Sequence, residues 1–167
     1  MTRFHNPAIL ILTKTKAIND RAKRIADRLP FDGAIFTNTI GLSGGLWLHW
    51  DGYWVSVSDL SKTEQEIHAF VTPIYSSTLW LLSAVYASPR FAKRRLFWDN
   101  LKTMSNLHSF PWVMVGDFNE VLMGEDKFGG RVVNISIALR FHECLDSCRM
   151  INIGFLGPDS RGRISVD

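Results

Sequence analysis

Trp112-Val113-Met114-Val115-Gly116-Asp117-Phe118-Asn119-Glu120 decides how this chain folds. Pro111 opens an apolar run of buried-strand length, Trp112 to Val115, which ends in Gly116-Asp117. A carboxylate and a carboxamide then stand two residues apart. On an extended segment, residues i and i+2 project to the same side. A rigid strand end can aim both into a cleft, Asp117 to hold or orient a water and Asn119 to bond a phosphate or an attacking oxygen. Asp and Asn are also common turn formers, so a plain turn after the strand is the competing assignment.

Outward from this stretch, strands and helices alternate. Ala8 to Leu12 after Pro7 is a continuous apolar strand pattern, followed by a helical stretch from Asn19 to Leu29 that Pro30 stops. Ile18, Ala22, Ile25 and Leu29 share one face of that helix. Gly33 to Thr37 and Leu46 to Trp50 have strand character, with a turn at Gly41 to Gly45. Asp51-Gly52 is a hairpin signal, with Tyr53 to Leu60 beyond it. Glu66 to Val71 and Thr78 to Tyr86 complete what the spacing predicts as an antiparallel meander. Phe97, Trp98, Leu101 and Met104 mark one face of a helix over Phe91 to Leu107. A further helix, Ser136 to Cys148, carries Ala138, Phe141, Leu145 and Cys148 on one face, with Asn134 or Ser136 as its cap. Ile151 to Phe155 resembles one more strand. Helix layers packed on mixed sheets follow from this order.

A chain of 167 residues that is 46% hydrophobic fits one domain with a sizeable core, and excludes a disordered solvating chain. A formal charge of +3 permits contact with a polyanion without demanding it. Cys144 and Cys148, four apart, suit two reduced core thiols; a zinc site needs further ligands. The apolar run near the start is too short for a secretory core or a membrane span. The expectation is a soluble intracellular protein with no membrane contact.

Gly116-Asp117-Phe118-Asn119 resembles the catalytic Asp/Asn motif of the endonuclease/exonuclease/phosphatase superfamily, the DNase I-like enzymes. Leu29 to Gly33, Gly41 to Trp50, Tyr86-Ala87-Ser88-Pro89, Pro111-Trp112 and Gly124 to Arg131 are similar, in the same order, to endonuclease domains of plant LINE-like retrotransposons. The likeness covers residues 6–158; 159–167 is a divergent C-terminal tail. It implies an α/β fold, a four-layer α/β sandwich of mixed, mostly antiparallel sheets. It also implies Mg²⁺ or Mn²⁺ as cofactor and hydrolysis of DNA phosphodiesters. Asp117 would help activate the attacking water, Asn119 would orient groups around the phosphate, and Tyr86 would touch it through its hydroxyl. Arg131 would contact a backbone phosphate or steer its loop. A solvated Tyr86 and a solvated Arg131 are the plainer alternatives.

Three departures from the family pattern bear on activity. The resembling sequences place a metal-binding glutamate where Lys14 stands, and lysine offers donors but no acceptor. Hard cations need carboxylate oxygens. At an effective dielectric of about 20, a unit charge at ~4 Å is worth roughly 4 kcal/mol, and here its sign opposes the metal. The pattern's first strand has no counterpart before Pro7, nor does its Ser-Asp-His segment after Pro158, so the domain is expected to be truncated at both ends. None of His5, His49, His68, His108 and His142 has the context of the catalytic histidine. The resulting expectation is an endonuclease-like domain of retrotransposon origin that has lost catalysis, with DNA as its partner and exposed sheet edges that promote self-association. A non-enzymatic nucleic-acid-binding remnant and a phosphoesterase of the same superfamily are the alternatives.

Overall fold

Two β-sheets packed face to face carry the architecture. The computed structural model describes residues 7–15, 24–37, 45–120 and 135–152. Strands β1 (Ile9–Thr15), β2 (Gly33–Phe36) and β3 (Gly45–Trp50) form one sheet in the order β1-β3-β2, both pairings antiparallel. Strands β4 (Val55–Lys62), β5 (Glu66–Pro73), β6 (Trp80–Tyr86) and β7 (Trp112–Asp117) form the second, in sequential order. β4-β5-β6 is an antiparallel meander, and β6-β7 is parallel. A parallel neighbour needs a long crossover. Helix α1 (Phe91–Leu107) supplies it, and α2 (Ile135–Ser147) packs beside α1. Residues 24–26 are helical, the end of the helix expected over Asn19 to Leu29; its earlier residues lie outside the described ones.

Period-two alternation explains the sandwich. Ile9, Ile11, Ile35, Leu46 and Leu48 from the first sheet meet Val55, Ile67, Ala69, Val71, Leu82, Ala84 and Val115 from the second. The opposite faces of β6 and β7 present Val85 and Met114 to Phe97, Trp98 and Leu101 of α1, and to Phe141, Cys144 and Leu145 of α2. Both cysteines are free and buried there, as the helical spacing implied.

One local expectation changes, and two fall partly outside the described residues. Asp51-Gly52 does not close a hairpin: β3 and β4 lie in different sheets. Asp51 accepts the Tyr53 amide through Oδ1, and Asp32 accepts the Gly52 amide through Oδ2. Turn chemistry is therefore genuine, but the burial pattern of each strand assigns it to its own sheet. Ser136 lies inside α2 and does not cap it, and Asn134 falls outside the described residues. Ile151 and Asn152 are irregular, and the rest of that expected strand also falls outside. At the edge of the second sheet, β4 has a bulge between Asp59 and Ser61 and a Lys62–Asp59 ion pair of 2.7 Å. Bulges and charges on an edge strand oppose edge-to-edge pairing. No described helix is long and apolar enough to cross a membrane.

Beneath α1 the second sheet buries polar groups. Glu66 accepts Asn100 Nδ2 (2.6 Å) and Thr63 Oγ1 (3.2 Å) through Oε1, while Oε2 finds no partner among the described residues. Burial pushes its carboxyl up to about 7. Next to it, His68 Nδ1 lies 2.6 Å from Ser83 Oγ, which also accepts Trp112 Nε1–H at 2.7 Å. Burial, helped by the charge of His108, pulls His68 down to about 4. Folded Glu66 holds its proton where the unfolded chain has lost it, so its contribution is present below pH 4.5 and lost as pH rises towards 7. His68 runs the other way: its contribution is present above 6.5 and lost as pH falls through about 4. Between about pH 4.5 and 6.5 the two slopes oppose each other.

Glu66→Gln removes one slope and keeps the shape. Relative to the wild-type chain, the variant should gain about 2.5 kcal/mol between pH 5 and pH 8, from the cost of ionising a buried carboxyl. Urea denaturation at the two pH values measures this, and a difference that does not change with pH would contradict it.

Candidate functional site

The strand-end carboxylate sits where both sheets terminate. In the parallel β6-β7 pair Tyr86 is opposite Asp117, so the two side chains leave the sheet at the same level. Gly116 permits this approach. Its φ is 151°, and a Cβ there would run into the Val85 carbonyl, so only glycine fits. Phe118 then turns inward and is buried against Phe97 and Phe141, which anchors the exit of the strand.

Asn119 does not continue the extended chain. It is left-handed, with φ 48°, a conformation asparagine tolerates better than most residues. Its backbone N–H donates to Asp117 Oδ1 at 3.0 Å, an Asx-type turn. Its side-chain Nδ2 donates to the Ala87 carbonyl at 2.6 Å, and the Ala87 N–H donates to the Asp117 carbonyl at 2.9 Å. The expected same-side projection of Asp117 and Asn119 therefore fails, because β7 ends at Asp117. Turn and site are the same feature: one oxygen of Asp117 builds the turn, and the other is left for a partner from elsewhere in the fold.

That other oxygen, Oδ2, receives Lys14 at 2.8 Å. Lys14 comes from the opposite sheet, and its aim depends on a bulge. β1 pairs regularly with β3 from Ile9 to Leu12, then slips so that Thr15 faces Gly45. One extra residue is inserted, and Lys14 takes φ 58°. A left-handed conformation costs a non-glycine residue roughly 1–2 kcal/mol. Bulges re-aim side chains, and this one turns Lys14 over the sandwich edge, 5.8 Å from the Tyr86 ring centroid. The contact is half exposed, with 55% of the Lys14 side chain and 32% of the Asp117 side chain accessible. An ion pair this open is worth at most about 1 kcal/mol. It therefore sets the site's charge without being a principal source of stability.

Asp117, Tyr86 and Lys14 are thus brought together, with Asn119 at their margin and tied back to Ala87. Arg131 lies outside the described residues. Of the histidines, His49 and His68 are buried in strands, His108 follows α1, and His142 pairs with Asp146 at 3.0 Å on the exposed side of α2. None of these four makes a contact with Asp117.

Among the described residues the donor set does not suit Mg²⁺ or Mn²⁺. Such ions take several oxygen ligands. Among the described residues no three His, Cys, Asp or Glu side chains converge on one point. Asp117 Oδ2 already faces an ammonium. A divalent ion at that oxygen would meet a like charge within a few ångströms.

One part of the site was not anticipated from the sequence. Arg94 Nη2 pairs with Glu120 Oε2 at 2.8 Å, both side chains under a tenth exposed. Its Nη1 donates to the Ser88 and Pro89 carbonyls at 3.0 and 2.9 Å. The clamp joins the exit of β6 to the exit of β7, just beyond Tyr86 and Asp117 in the chain. Gln65 adds to it, accepting the Ser88 N–H at Oε1 (2.8 Å) and donating through Nε2 to the Lys93 carbonyl (3.0 Å). The signal was present: residues 94, 97, 98, 101 and 104 share one face of α1, and four of the five are apolar. An arginine on a buried face needs a buried partner.

No family model matches the chain, and no curated protein sequence matches it. Solved structures do. The endonuclease domain of TRAS1, a telomere-specific non-LTR retrotransposon, superposes with a TM-score of 0.68 at 11% identity, over 99% of this chain and 74% of that one. The catalytic domain of human Nocturnin gives 0.64 at 14% identity, over 99% and 70%. The AP endonuclease LMAP from Leishmania major gives 0.65 at 14% identity, over 91% and 60%. The fold is accordingly the DNase I-like endonuclease/exonuclease/phosphatase fold.

Breaking the clamp from one side strands a buried charge. Glu120→Gln or Arg94→Met alone should cost about 3–5 kcal/mol in chemical denaturation. The double variant Arg94→Met/Glu120→Leu should be more stable than either single variant. Purely additive losses would show that the two side chains are not coupled.

Proposed function

We propose that this chain is an endonuclease-type domain of LINE-like retrotransposon origin in which metal-dependent hydrolysis of DNA phosphodiesters has been lost. Residues 6–158 form the domain and 159–167 a divergent tail. The TRAS1 endonuclease domain, from a retrotransposon, supports the origin by sharing the fold over nearly the whole chain. The flanking segments from Leu29 to Arg131 supply the LINE-like character.

One observation carries the loss of activity: Lys14 Nζ lies 2.8 Å from Asp117 Oδ2. Hydrolysis of this type asks a divalent ion to polarise the phosphoryl oxygen and steady the leaving oxygen. It also asks Asp117 to be ready to take part in proton transfer from water. Here one carboxylate oxygen is committed to the Asn119 turn and the other to an ammonium. A phosphatase of the same superfamily would draw on the same carboxylate, so the contact argues equally against that alternative.

Supercoiled plasmid incubated with the chain and Mg²⁺ or Mn²⁺ should remain supercoiled, with Asp117→Ala indistinguishable from the wild type on an agarose gel. Open circles produced by the wild type and abolished by Asp117→Ala would overturn the proposal.

A further inference from the structure

Lys14 is held in a conformation that strand formation does not require. The bulge in β1 and the left-handed backbone at Lys14 bring its ammonium to Asp117, while more than half of the side chain stays open to solvent. Strain kept beside a strand-end carboxylate calls for a role there.

We propose that Lys14 is the resident cation of this site, and that the site takes a phosphodiester group of duplex DNA without any metal ion. The inference rests on the endonuclease-like reading of the domain, and it names how the site now meets its ligand. The Lys14–Asp117 pair carries no net formal charge, so an incoming phosphodiester does not face an uncompensated carboxylate. Lysine binds phosphate as a point charge. More than half of the Lys14 side chain is open to solvent, so a phosphate can approach it from outside. The Tyr86 ring lies 5.8 Å from the ammonium, where β6 ends. A divalent ion is excluded by the same ammonium that attracts the phosphate. Binding is therefore independent of metal, and added Mg²⁺ acts only as a competing counterion.

Fluorescence anisotropy with a labelled duplex oligonucleotide, titrated with the chain at several salt concentrations in EDTA, tests this. Wild-type chain should bind in EDTA at least as tightly as in Mg²⁺. Lys14→Gln should flatten the log–log salt dependence by about 0.9, the loss of one phosphate contact. Lys14→Arg should keep the wild-type slope, and Lys14→Glu should bind more weakly than Lys14→Gln. Circular dichroism melting of each variant reports folding separately, and a merely structural strut would change melting without changing the slope. No binding in EDTA, or an unchanged slope in folded Lys14→Gln, would overturn the proposal. Metal-dependent nicking by the wild type would instead overturn the reading on which it rests, so the two failures are distinguishable.

Discussion

A single ammonium bridging two sheets governs what this site can do. Lys14 belongs to β1 and Asp117 to β7, strands more than a hundred residues apart in sequence and in different sheets. The packing of Ile9 and Ile11 against the Val115 face puts the ends of those strands side by side. Once they are adjacent, the charge on residue 14 determines whether the strand ends present a lone carboxylate or a neutral pair. Because the contact is half exposed, its contribution to stability is small. Its electrostatic effect is local, since it places a positive charge 2.8 Å from the Asp117 carboxylate.

The surroundings of Asp117 are organised independently of Lys14. Gly116 lets β7 approach the Val85 carbonyl, Phe118 is pinned in the core, and Asn119 folds back onto Asp117 and Ala87. The Arg94–Glu120 clamp then ties the exits of β6 and β7 together below them. A strand end built this firmly holds its carboxylate in a defined position whatever faces it. The DNase I-like fold thus holds a firmly built strand end whose carboxylate faces an ammonium.

The layer under α1 shows a second use of buried polarity. Glu66, Asn100, His68, Ser83 and Trp112 link three strands and a helix through short hydrogen bonds. Burial drives Glu66 towards its neutral form and His68 towards its own. Near pH 6 both can therefore be uncharged in the folded chain, which lets an acid and an imidazole sit beneath a helix with little electrostatic cost.

Local patterns in the sequence determined the elements themselves. The limits of α1, the buried face of Phe97, Trp98, Leu101 and Met104, the strand ending at Asp117 and the pair of core thiols were all legible, because each depends on periodicity over a few residues. The positive charge of the residue that meets Asp117 was legible too, since the identity of Lys14 is written in the chain. Tertiary structure alone decided that Asp51-Gly52 crosses between sheets instead of closing a hairpin, because turn chemistry bends the chain without choosing the neighbour. It alone decided that Asn119 turns away from the strand direction, that a bulge swings Lys14 onto Asp117, and that Arg94 finds Glu120. Each of these is a contact between residues distant in sequence or a backbone angle set by close packing, and no local pattern of residue types encodes either.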